Sequence, residues 1–104
     1  MEYIKTSVGI EQNLIINYGL VQYRFDIRFN DYFNNWYFHL YNNNTDILIL
    51  AGIKIKFTYD IFNGLGLNLG ELYLIDTIDD GSEYDIKADF GDRLKLAREY
   101  TYYA

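Results

Sequence analysis

An all-β fold is what this sequence predicts: a small β-barrel or sandwich of about seven to nine short, mainly antiparallel strands, in a single domain over residues 1–104. Three observations predict it. Tyr23–Phe29 alternates strictly, with Tyr23, Phe25, Ile27 and Phe29 on one side and Arg24, Asp26 and Arg28 on the other, the period of a strand with one buried face. No stretch sustains a helical stripe for more than about two turns. Short apolar segments are separated by Asn-, Asp- and Gly-rich clusters, which are turn chemistry.

Taken in order, Tyr3–Ile4 reads as a short first strand and Asn13–Tyr18 as a second, with Gly19 marking a turn. Tyr23–Phe29 follows. The polar connection Asn30–Asn35 allows a hairpin to Trp36–Tyr41 but leaves its register open. In that return strand Trp36, Phe38 and Leu40 share one face, and Tyr37, His39 and Tyr41 the other. Aromatic pairs across this hairpin should form the densest packing in the protein. Asn42–Asp46 is a turn by composition. Ile47–Leu50 is a continuous apolar run, the pattern of a strand covered on both faces. Ile53–Phe57 alternates again, placing Lys54 and Lys56 in water. Thr58–Phe62 suits either a strand extension or one helical turn. Asn63–Gly70 interleaves glycine with leucine, Glu71–Thr77 is a strand, and Ile78–Tyr84 is an acidic loop. Residues 85–91 read as irregular. Arg93–Glu99 suits helix or strand, and the all-β context favours strand.

Composition narrows the function classes. The chain has 104 residues, 50% hydrophobic and 19% aromatic, with twelve tyrosines, no proline and no cysteine. Without cysteine there is neither disulfide nor thiolate-bound metal. The net charge is −6, and no basic stripe of the kind a nucleic-acid binder shows is present. No apolar run approaches the ~20 residues of a membrane helix, and the N-terminus lacks a secretory signal pattern, so synthesis in a cytoplasm is expected.

Catalytic chemistry finds little purchase. His39 is the single histidine, and the serines, Ser7 and Ser82, lie in loop-like context far from it in sequence; a nucleophile–base pair needs such groups together. His39 reads first as a strand residue between two tyrosines. No metal or other cofactor is expected. The weak candidates for an ion site are Asp79, Asp80, Glu83 and Asp85, whose clustered oxygens suit calcium; their spacing departs from the helix–loop–helix calcium pattern, and a solvated hairpin tip is the plainer reading. The glycines of Asn63–Gly70 resemble a phosphate loop only weakly, since no Lys-Ser/Thr follows. Tyrosine is enriched where proteins meet, which makes Tyr37, His39, Tyr41, Tyr100, Tyr102 and Tyr103 the interface candidates. A small β-module that binds a ligand or carbohydrate, with Trp36 and tyrosines stacking on sugars and the acidic loop holding calcium, is the alternative.

The order of segments is also informative. YRFDIRFN, WYFHLYN, an apolar strand ending in AGI, TYDIFNGLGLNLGELYLID, an acidic loop and FGDRLKLAREY together resemble the small baseplate plug family of contractile-tailed phages, of the cyanophage type. The matching positions are Tyr23-Arg24-Phe25, Arg28, Asn30, Trp36-Tyr37, Gly52, Tyr59, Leu65-Gly66, Gly70, Leu72 and Phe90-Gly91, across residues 19–100. The glycine pair of the family's turn is spread to Gly66 and Gly70, Phe90 replaces a usual leucine, and the prolines of the acidic loop are missing. The resemblance implies a structural virion protein without catalytic activity, seated on the tail axis. Its implied partners are baseplate hub, tail tube and spike proteins, in a homo-oligomer of three- or six-fold symmetry.

Overall fold

The computed structural model describes residues 2–6, 9, 11–57, 59–78 and 80–100. Seven strands are present: β1 (Glu2–Tyr3), β2 (Glu11–Tyr18), β3 (Val21–Asn30), β4 (Asn35–Asn42), β5 (Ile47–Lys54), β6 (Glu71–Asp76) and β7 (Leu94–Glu99). No helix forms among the described residues. The strands make two open antiparallel sheets, ordered β2-β3-β4-β5 and β1-β7-β6. The all-β expectation therefore holds, with two sheets, as a sandwich has, and no closed barrel. The chain divides into two compact units, one built on each sheet.

The four-stranded unit, residues 11–55 in its described part, follows from its turns. Tyr18 pairs with Val21 across Gly19-Leu20. Gly19 has φ +65° and Leu20 is not among the positive-φ residues, the type II′ pattern that matches strand twist. The next two hairpins share one construction. β3 and β4 pair from Tyr23↔Asn42 to Asn30↔Asn35, so the connection is four residues, shorter than the polar stretch suggests. Asn30 Oδ1 accepts from the Tyr32 and Phe33 N–H groups at 2.9 and 3.2 Å, and Asn34 closes the loop at φ +51°. Twelve residues on, Asn42 Oδ1 accepts from Asn44 and Thr45, and Asp46 closes at φ +57°. Asn and Asp suit both jobs, since they cap nearby N–H groups and tolerate left-handed backbone.

The period-two pattern then sorts the faces. Leu14, Ile16, Phe25, Ile27, Trp36, Phe38 and Leu40 are all buried on one side. The expected aromatic packing is there: Phe25 lies 5.2 Å from Phe38 and Phe29 lies 5.1 Å from Trp36, centroid to centroid. β5 overturns its expectation. Ile47, Leu48 and Ile49 are exposed, because β5 is the edge of the sheet rather than an interior strand. A run of apolar residues looks the same in sequence in either position.

The three-stranded unit places β7 between β1 and β6. Arg93–Glu99 resolves as strand, with Leu94, Leu96 and Ala97 buried. Residues 57–65 are neither a strand extension nor a helical turn. Phe57 makes an isolated bridge to Leu74, and Asp60 Oδ1 accepts from the N–H groups of Phe62 (3.0 Å) and Leu72 (2.8 Å). One carboxylate thus shapes the turn and ties it to β6. The glycine-rich stretch that follows has a steric reason at Gly70. Its φ is +74°, and an added Cβ would meet the Glu99 carbonyl oxygen far inside contact distance. Gly66, at φ +67°, has open space around it. Gly66→Ala should therefore cost only the left-handed strain, about 1 kcal/mol. Gly70→Ala, which must also displace β7 backbone, should cost ~4 kcal/mol or abolish folding. Urea denaturation of the two variants checks the difference.

Candidate assembly surface

The non-core face of the four-stranded sheet is laid out in cross-strand rows. One row runs Glu11, Arg28, Tyr37, Lys54; another runs Ile15, Arg24, Tyr41, Leu48; between them Asp26 faces His39. Three of the expected interface residues, Tyr37, His39 and Tyr41, thus stand side by side on β4, each half-buried. Tyr100 belongs to the other unit, where the Arg98 guanidinium sits 5.9 Å from its ring centroid. Tyr102 and Tyr103 lie outside the described residues.

Charge and ring contacts hold this face in place. The Arg24 guanidinium sits 4.2 Å above the Tyr41 ring, a cation–π contact. Arg24 also donates to Asp26 Oδ1 (3.2 Å) and Asp46 Oδ1 (2.9 Å), and these carboxylates, Asp46 foremost, raise its pKa above the usual arginine value. Tyr37 and His39 meet edge to face at 5.6 Å. Rings fixed this way lose little freedom when a partner covers them, which favours their use in binding.

His39 has a structural task that its sequence position does not reveal. β5 carries two extra residues relative to β4, one between the pairs Phe38↔Ile53 and Leu40↔Leu50 and one between Leu40↔Leu50 and Tyr41↔Leu48. Such bulges take N–H groups out of the ladder. Gly52, in the first bulge at φ +67°, donates its N–H to His39 Nδ1 at 2.9 Å. The imidazole replaces a lost backbone acceptor and is committed to the fold, in keeping with the plain strand reading. His39→Ala should cost about 1 kcal/mol of stability, the worth of one such bond, in chemical denaturation, without changing the sheet's circular dichroism.

The acidic loop is likewise organised by the protein's own groups. Arg93 pairs with both oxygens of Asp76, at 2.7 and 2.8 Å, and also donates to the carbonyls of Glu83 (2.9 Å) and Ser82 (2.8 Å). Asp76 holds the Arg93 pKa above its ordinary value. The carbonyls a calcium ion would use are thereby bound to a cation already. Tyr84, from the same loop, stacks on Phe57 at 5.1 Å. Of the weak ion-site candidates, Asp80 accepts from the hydroxyl and N–H of Ser82, and Asp85 from the N–H groups of Lys87 and Ala88. Asp79 lies outside the described residues, and among the described residues no cluster of three metal-ligating side chains forms. Trp36, offered for sugar stacking, is 1% exposed, so its ring is closed to any ligand.

Ser82 holds Asp80, and the Ala88 and Lys87 N–H groups hold Asp85, below the usual carboxylate range. A lowered folded pKa contributes stability above the unfolded value of about 4 and loses it as pH falls toward the folded values. Melting temperature should therefore drop as pH is taken from 5 toward ~2, and the Asp80→Asn, Asp85→Asn double variant should flatten that drop.

Residue types alone did not mark the exposed Tyr32 and Phe33 at the β3–β4 tip, or Ile15, Leu48 and Ile47 on the outer strands. For Tyr32 and Phe33 a signal existed, since both lie inside a loop of turn formers. A model of the family described as cyanophage baseplate Pam3 plug gp18 matches residues 1–99 of the chain. No curated protein matches it.

Proposed function

The chain belongs to the cyanophage baseplate plug family, and from that premise we propose that it seals the tail axis of a contractile-tailed phage by assembly with hub, tube and spike proteins. In this reading it is a structural part of the virion tail baseplate, forms a homo-oligomer of three- or six-fold symmetry, and catalyses no reaction. The family match over residues 1–99 carries the proposal.

Two features of the site support it. The ionisable side chains of the outward face are engaged in shaping the sheet: Arg24 binds Asp26, Asp46 and Tyr41, and His39 caps the β5 bulge. The same face presents tyrosines in fixed orientations, the side chains most useful at a protein interface. Exposed apolar groups at Tyr32, Phe33 and Leu48 extend the contact area available to a partner.

Co-expression with the tail hub and tube proteins, followed by affinity capture and size exclusion, tests the proposal. The wild-type chain should co-elute with at least one of them. Tyr37→Glu should weaken capture at least about tenfold, the loss of one interface anchor, while its melting temperature stays near wild type. A chain that ignores every hub and tube protein overturns the reading.

A further inference from the structure

The four-stranded sheet has two outer edges, β2 and β5, and what stands along them is complementary. Each cross-strand row of the outward face begins on β2 and ends on β5. The row through Arg28 and Tyr37 begins at Glu11 and ends at Lys54; the row through Arg24 and Tyr41 begins at Ile15 and ends at Leu48. Glu11 and Lys54 are both exposed and opposite in charge. Ile15 and Leu48 are both exposed and apolar, at 57% and 48%. With four strands alternating in direction, β5 runs antiparallel to β2, so a second copy in the same orientation would continue the sheet with its β2 beside β5 of the first. Without any shift between copies, Lys54 then meets Glu11 and Leu48 meets Ile15.

We propose that copies of this chain join head to tail through these edges, β5 of one pairing antiparallel with β2 of the next. This deepens the homo-oligomer part of the function proposed above and rests on that reading. Edge strands are ordinarily protected from pairing by lysine, bulges or short length. β5 carries Lys54 and two bulges, so it rejects partners that offer no acid at that row, and β2 offers Glu11 there. Pairing of β5 with another β5 fits less well. The register that sets Lys54 against Asp46 sets Leu48 against Gly52, and Asp46 is already held by Arg24 at 2.9 Å. Like charges facing each other across strands destabilise, and opposite charges stabilise. A contact between two different patches generates a ring where the rotation closes and a filament where it does not.

Light scattering on the purified full chain over a concentration series tests this. The wild type should self-associate. Glu11→Lys and Lys54→Glu should each weaken association about tenfold, and the double reversal should restore it. Ile15→Lys and Leu48→Lys, both at exposed positions, should each block one edge, and an equimolar mixture of the two should give a one-to-one dimer because each copy keeps one working edge. The charge-reversal pair stands as a test even where a lysine variant fails to fold. A wild type that stays monomeric at millimolar concentration overturns the proposal. So does association that Leu48→Lys abolishes while Glu11→Lys and Ile15→Lys leave it intact. A monomer that still co-purifies with hub protein would sink the edge joining and leave the baseplate reading standing.

Discussion

A slip of one residue between β3 and β4 would carry Arg24, Asp26 and Arg28 onto the face that now buries Phe25 and Ile27. Burying three unpaired charges costs far more than a domain of this size has in reserve, so this register is the constraint on which the four-stranded unit depends. It is held at both ends. Asn30 caps the loop at one end and Asn42 the loop at the other, each with its side-chain oxygen on two backbone N–H groups. The Asn43 N–H donates to the Gln22 carbonyl, and the Gln22 N–H to Asn44 Oδ1, both at 2.8 Å, which lashes the second loop to the start of β3. Every cross-strand row on the outward face inherits its alignment from this pairing.

The three-stranded unit reaches the same end by different means. Its turns are long, and buried backbone groups in long turns need partners. Two charged side chains supply them. Asp60 serves the turn before β6, and Arg93, paired with Asp76, serves the loop after it. Surface ion pairs contribute little in general, but the Arg93 and Asp76 side chains are only 10% and 13% exposed, with two-pronged geometry. Their value lies in fixing the acidic loop's path. That is also why a sequence rich in aspartate here does not amount to an ion site: its oxygens and carbonyls are occupied by N–H and guanidinium donors.

These commitments bear on function. In both units the ionisable groups with several partners are the ones that shape backbone, and the groups left to face outward are rings and aliphatic side chains. Such a distribution suits a protein that works by being held between neighbours. The exposed apolar positions at Ile15, Tyr32, Phe33, Ile47 and Leu48 are a liability for a protein meant to stay alone and an asset for one that assembles.

Much of this was legible in the residues. Strict alternation in Tyr23–Phe29 and Trp36–Tyr41 marked both strands and their buried faces, because side-chain direction in a strand is a local property. The asparagine-rich turns and the strand at Leu94–Glu99 were legible for the same reason, and the ordered YRF, WY and glycine-rich segments pointed to the baseplate plug family that the match over residues 1–99 shows. What the sequence could not hold is neighbourhood. Whether Ile47–Leu50 lies inside a sheet or on its edge, whether Trp36 is open to a ligand, and which N–H finds His39 depend on strand order and on bulges, which are settled only when distant segments pair. By itself the chain determined which way each side chain points; only the tertiary structure decided what each one meets.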